Sequence, residues 1–151
     1  MDILISIHPH FADSILRGEK TVELRRSFRR EVSETDRLFI YSTKPVASIV
    51  GIAEIRDIDR DNADNIWAKY GPLARISRNY FLDYVGDLPL VSAICLAKTE
   101  IFENRIPAYT LKNNLSMVPP QSYRYLTPDE SAWIINAGKQ NSHRDEYSIS
   151  A

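Results

Sequence analysis

The chain has 151 residues, 44% of them hydrophobic and 26% charged, enough to bury one core and too apolar for disorder throughout. Lysine plus arginine number 19 against 20 acids, so the net charge of -1 excludes a protein that coats nucleic acid by bulk charge. Cys95 is the sole cysteine, which excludes an internal disulfide, a thiolate zinc cage and an iron–sulfur cluster, and no apolar run approaches the ~20 residues of a spanning helix.

Ile3, Ile5 and Ile7 alternate with Leu4 and Ser6, which predicts a half-buried strand. His8-Pro9 then opens a short helix with Pro9 in its first turn, Ala12, Ile15 and Leu16 on its apolar side and Gly18 past its end. Thr21 to Arg25 is a second strand by alternation. Its polar face of Thr21, Glu23 and Arg25 is expected to open on a cleft, with Val22 and Leu24 pointing into a barrel. Between Arg17 and Arg30 six basic residues stand against two acids, whereas Glu54 to Asp64 carries five acids and two arginines. On charge alone these are two solvated loops, yet they show that a near-neutral chain can present one basic surface.

Arg37 to Tyr41 and Val46 to Ile55 are expected strands joined by the Ser42-Thr43-Lys44-Pro45 turn, with Gly51 marking a bulge or bend. Asn62 to Tyr70 and Ile76 to Val85 carry helical spacing and are expected to be split by Gly71-Pro72. Their aromatics Trp67, Tyr70, Tyr80, Phe81 and Tyr84 belong to a core or an interface rather than a base-stacking box. Leu90 to Ile101 returns to strand, apolar on both faces as inside a barrel or under a helix. Thr127-Pro128-Asp129-Glu130 is a capping box opening a helix that buries Trp133 and Ile134. Gly18, Gly86 and Gly138 each follow a helix-like run, where a left-handed residue is wanted. None of the five glycines builds a dinucleotide fingerprint or a phosphate loop, so no cofactor is expected. The pattern predicts one α+β domain over 1–138, a small mixed or antiparallel barrel decorated by short helices, and a polar, disordered tail over 139–151. Asp2 follows Met1 where a secretory leader would be basic and then apolar, so a cytoplasmic protein without a membrane partner is expected.

The stretch His8-Pro9-His10-Phe11-Ala12, followed by Ile15-Leu16, Gly18, Lys20, Glu23 and Arg25, resembles the opening motif of ASCH domains, the PUA-like family named after activating signal cointegrator. Pro119-Pro120-Gln121-Ser122-Tyr123-Arg124-Tyr125-Leu126 resembles a second segment found in many members. The resemblance implies a PUA-like β-barrel with a cleft at its side, and RNA or nucleoside-type ligands.

Residue types say what such a cleft can do. Lys20 offers a point charge for a phosphate or for a carbonyl oxygen gaining negative charge. Glu23 can hold Lys20 or accept hydrogen bonds from the exocyclic amine of a base, and Arg25 can clamp a phosphate. The plainer alternative is an exposed ladder of charges. His8 satisfies the helix start or shapes the cleft wall. A metal site at His8 and His10 lacks further ligands at recognisable spacing. Arg26, Arg29 and Arg30 are expected to draw the nucleic-acid backbone, and Ser122 and Tyr123, with Arg124 and Tyr125, to cover a base.

Some ASCH relatives are similar to amidohydrolases of N4-acetylated cytidine that use a lysine and a threonine three positions later. Lys20 fits, but Glu23 occupies the threonine's place and Thr21 lies one residue from the lysine. Other relatives cut RNA. The leading expectation is an RNA- or nucleotide-binding domain, open to a regulatory role. A hydrolase acting on RNA or on an N4-acylated cytidine, with Lys20 and Glu23 catalytic, is the alternative. A third is a small-molecule sensor controlling transcription, with a protein partner or second copy docked on residues 62–85.

Overall fold

A computed structural model describes residues 1–28, 31–33 and 36–139. Asp2–Ile7 forms β1, and Pro9–Leu16 forms α1, with Pro9 in its first turn and Gly18 at φ +75° just beyond its end. Val22–Arg25 is β2, Arg37–Ser42 is β3 and Ser48–Asp61 is β4. Ala63–Ala74 and Arg78–Val85 form α2 and α3, Val91–Pro107 is β5, Ala108–Leu115 is α4, Tyr123–Leu126 is β6 and Pro128–Lys139 is α5. The six strands make one sheet in the order β2-β5-β4-β3-β1-β6, antiparallel except for the parallel pair of β1 with β3. Its register shifts at Ile49/Gly51, Ile52/Glu54 and Ile55/Asp57, where bulges bend the β4–β5 ladder and curl the sheet into a half-barrel. The curl is tight enough that Arg25, at the end of edge strand β2, donates a 2.8 Å hydrogen bond to the Ser6 carbonyl of β1.

Three apolar clusters hold this shape. Ile3, Ile5, Leu38, Ile40 and Ala53 line the concave face, which α1 fills with Ala12 and Ile15. Leu4, Phe39, Ile49 and Ile52 point the opposite way and are covered by Leu111 of α4 and Ile134 of α5. Each strand of that region is therefore buried on both faces, and β1 is not the half-buried strand its alternation predicts: Leu4 is as buried as Ile3 and Ile5. The third cluster packs Ile66, Ala74, Phe81 and Val85 of α2 and α3 against Val22, Leu24 and Ala93 of β2 and β5. Val22 and Leu24 thus face the helices, whereas Glu23, paired with Ile94, faces the concave side. This reverses the expected facing of β2, because α2 and α3 supply an apolar layer outside the barrel.

Other boundaries move for similar reasons. Gly71-Pro72 does not split the helical stretch: α2 runs to Ala74 and ends at Arg75, which is left-handed at φ 56°. Pro72 lies in the last turn of α2, where Ala74 is buried and a Cβ on Gly71 would crowd the Trp67 ring at 2.9 Å. Gly138 does not follow a helix but lies inside α5, where a Cβ would sit 2.8 Å from the Phe102 ring. β4 and β5 extend well past their expected ends, so the acidic stretch is strand rather than loop down to Asp61. Residues 29, 30, 34, 35 and 140–151, including Arg29, Arg30 and all but the first residue of the expected tail, lie outside the described residues. No helix among the described residues is long and apolar enough to cross a membrane.

Candidate functional site

Lys20 reaches its place through the turn after α1. The backbone N–H groups of Glu19 and Lys20 both donate to the Ser14 carbonyl, folding the chain back so that Lys20 precedes β2 and points inward. Lys20 is 2% exposed. The ammonium donates to the Ala74 carbonyl at the end of α2, lies 3.6 Å from Glu23 Oε1 and sits 5.0 Å from the centre of the Phe11 ring. On the other side of the carboxylate, Arg25 Nη2 stands 3.3 Å from Glu23 Oε2 while also holding the Ser6 carbonyl. One anion therefore serves two cations. Burial pushes the Lys20 pKa below its usual 10.5, an effect that Glu23 opposes and Arg25 reinforces.

These groups form one end of a cavity of about 180 Å³, walled further by His8, Phe11, Tyr80 and Tyr84. That volume is below the roughly 300–1,000 Å³ of sites for drug-sized molecules, so it suits one small ring system. Lys20, Glu23, Arg25 and His8 are thus brought together. Thr21 is not. It lies just ahead of β2, its backbone held by Leu73 and Leu96, and it lines a different hollow with Tyr70 and Cys95. His10 also parts from His8: two residues on along α1, it faces a second cavity of about 380 Å³ with Asp13 and Arg105. Among the described residues no group of three or more His, Cys, Asp or Glu is placed to hold a metal ion.

Ser122 and Tyr123 do not line the Lys20 cavity. The Ser122 carbonyl accepts from the Ser6 N–H, and the Tyr123 ring packs on Phe28 at 4.6 Å, because β6 pairs with β1 as a sheet strand. Phe28 stands alone in a polar stretch, where no periodicity marks it. Fully buried, it pins the basic loop to the barrel through its carbonyl, which accepts from Arg60 Nε at 2.9 Å and Ser92 Oγ at 3.1 Å. Arg26 just before it lies 5.0 Å from the centre of the Tyr84 ring, and its N–H donates to the Tyr84 hydroxyl at 3.3 Å. The spacing of the α3 tyrosines predicts a core or an interface. Their spacing was legible, but not that Phe81 and Val85 would take the buried side and turn Tyr80 and Tyr84 toward Lys20.

Chemically, the carboxylate at the end of this small aromatic-walled cavity can accept from an amine, and the two cations beside it can donate to an oxygen.

A family model described as the ASCH domain matches residues 5–111. The chain is similar to an ASCH domain-containing ribonuclease of Zymomonas mobilis subsp. mobilis, 28% identical over 139 residues that cover 92% of this chain and 93% of the relative. The crystal structure of ASCH from Zymomonas mobilis is similar with a TM-score of 0.83 at 30% identity, over 89% of this chain and 94% of that one. Human THYN1, solved in complex with 5-methylcytosine-containing DNA, shares the fold at a TM-score of 0.55 and 14% identity, over 91% of this chain and 96% of that one. The fold is the α+β, PUA-like half-barrel that the motif implied. With the match running from within β1 to within α4 and including the whole Lys20 cavity, the chain belongs to the ASCH domain family.

Proposed function

We propose that this ASCH domain binds single-stranded RNA, taking one unpaired base into the Lys20–Glu23–Arg25 cavity. The observation that carries the reading is the cavity floor: a buried carboxylate between two cations, under aromatic walls and in a volume fit for one ring system. Glu23 accepts from an exocyclic amine of the base, and Lys20 donates to a neighbouring ring nitrogen or carbonyl. Phe11, rather than Ser122 and Tyr123, covers the base. Arg26, with Arg29 and Arg30 of the same basic stretch, meets the phosphates. Leu73 and Leu82, exposed on α2 and α3, remain for a protein partner or second copy, and the reading fits a cytoplasmic protein.

Cleavage of that RNA is a second reading, favoured by the Zymomonas mobilis relative named a ribonuclease. In it Glu23 is the proton acceptor for a ribose 2'-hydroxyl and Lys20 the cation near the scissile phosphate.

One experiment addresses both. Labelled oligocytidylate is titrated with the protein over a range of salt, then incubated with and without divalent cations and resolved by size. The expected results are binding that Glu23→Gln and Lys20→Ala both weaken, and a salt slope reduced by about 0.7 for each of Arg26, Arg29 and Arg30 changed to alanine. Binding unaffected by Glu23→Gln and Lys20→Ala would refute the cavity as the base site. Equal binding of the matching oligodeoxycytidylate would refute the choice of RNA over DNA. Cleavage abolished by Lys20→Ala would make the ribonuclease reading the leading one.

A further inference from the structure

The cavity does not end at its rim. Phe11, Tyr80, Tyr84 and Arg26 follow one another in a row leading out toward the basic stretch. The Phe11 and Tyr80 rings lie 5.8 Å apart edge to face, the Tyr80 and Tyr84 rings 6.5 Å apart with planes only 15° from parallel, and the Arg26 guanidinium 5.0 Å from the Tyr84 ring. Tyr80 is 51% exposed although it borders the cavity in which Lys20 is buried. The helix under these rings is fixed. Ser77 caps α3 through the Tyr80 N–H at 3.1 Å, and Phe81 is buried against Trp67 at 5.1 Å.

A flat ring held in place and half open to solvent at the rim of a base-sized cavity, one ring away from the Arg26 cation, is a platform for a second planar group. Such a ring loses little conformational entropy on binding, since only two torsions move and packing already restrains them. We propose that Tyr80 and Tyr84 form a stacking ledge for the nucleotide adjacent to the one in the cavity, with its phosphate drawn to Arg26. The ligand is then a single-stranded oligonucleotide of at least two residues, not a free nucleoside. The inference rests on the base-in-cavity reading above and adds to it a length requirement. Tyr80 supplies the open face; Tyr84, half-buried and tied to Arg26, orients the cation at the far end.

The test compares two probes on the intact chain: 2'-O-methyl oligocytidylate, which resists cleavage, followed by fluorescence anisotropy, and cytidine monophosphate, measured by competition. The unaltered protein is expected to bind the oligonucleotide about tenfold or more tighter than the mononucleotide, in line with one extra stacked base. Tyr80→Ala and Tyr80→Leu should both collapse that ratio, and Tyr80→Phe should preserve it, because stacking uses the ring and not the hydroxyl. The leucine variant keeps apolar packing on Phe11, so a loss there cannot be laid to a disturbed fold. Equal affinity for the two probes in the unaltered protein overturns the ledge. So does an equal loss for both probes in the Tyr80 variants, or no loss for either. If neither probe binds the unaltered protein, the base-in-cavity reading fails, and the ledge with it.

Discussion

Replacing Glu23 with glutamine tests whether the floor of the cavity is a charge-balanced unit. The carboxylate is 7% exposed and lies 3.6 Å from Lys20 Nζ and 3.3 Å from Arg25 Nη2, so Glu23→Gln keeps the shape and leaves two cations without their anion. Removing one partner of a buried pair costs about 3–5 kcal/mol. Two features favour the lower end: Arg25 keeps its 2.8 Å bond to the Ser6 carbonyl, and Lys20, whose pKa burial already lowers, can shed its proton. A loss of about 3 kcal/mol corresponds to a fall in Tm on the order of 6–12 °C for a chain of this length. Lys20→Met should cost much less. It gives up a charge-assisted bond to the Ala74 carbonyl, worth about 1.5–3 kcal/mol, but removes a buried ammonium and leaves Glu23 neutralised by Arg25.

The pH dependence carries a second signature. Lys20 has a folded pKa below 10.5, so between that value and 10.5 the unfolded chain binds more protons and stability rises with pH. In Glu23→Gln the lysine has lost its anion and its folded pKa falls further, so the deficit against the parent should shrink as pH rises between the two folded values and stay constant above them. Urea and thermal unfolding followed by circular dichroism, at neutral and alkaline pH, would measure this for the parent, both single variants and the double variant. The double variant should recover at least about 1 kcal/mol of the Glu23→Gln loss. A Glu23→Gln protein as stable as Lys20→Met, or a deficit that does not change with pH, would refute the reasoning.

Gly51→Ala should cost about 1–3 kcal/mol or more in urea unfolding, since its Cβ would lie 2.4 Å from the Glu100 carbonyl oxygen and 2.7 Å from Leu16 Cδ2, and the first of these is backbone. Ser131→Ala should be neutral or stabilising by up to about 1 kcal/mol, because the buried Ser131 hydroxyl has no hydrogen-bond partner among the described residues. The unaltered chain should not hydrolyse N4-acetylcytidine, since Thr21 lines another hollow and a nucleophile must approach within about 3–3.5 Å of the acetyl carbon. Glu23→Thr should gain turnover, read by chromatography, and turnover by the parent that Lys20→Ala abolishes would refute this.

What lay within a few residues of itself was legible in the sequence. The proline start and glycine stop of α1, the alternation that sets Glu23 on the opposite face of β2 from Val22 and Leu24, and the capping box of α5 are local. In that box Thr127 and Glu130 bond each other's backbone N–H groups as their spacing predicts. Lys20, Glu23 and Arg25 likewise stand close together because the turn and the strand are short. Tertiary packing decided the rest. Which face of β2 meets the barrel depends on α2 and α3, which arrive some forty residues later with an apolar layer of their own. The burial of β1 on both faces depends on α4 and α5, from the far end of the chain. The wall of the site depends on how α3 is rotated, and Phe81 and Val85 set that by filling the space beneath it. Periodicity tells which residues share a helix face but not what that face meets, so the part of Tyr80 and Tyr84 emerged only once the sheet had curled and brought them beside Lys20.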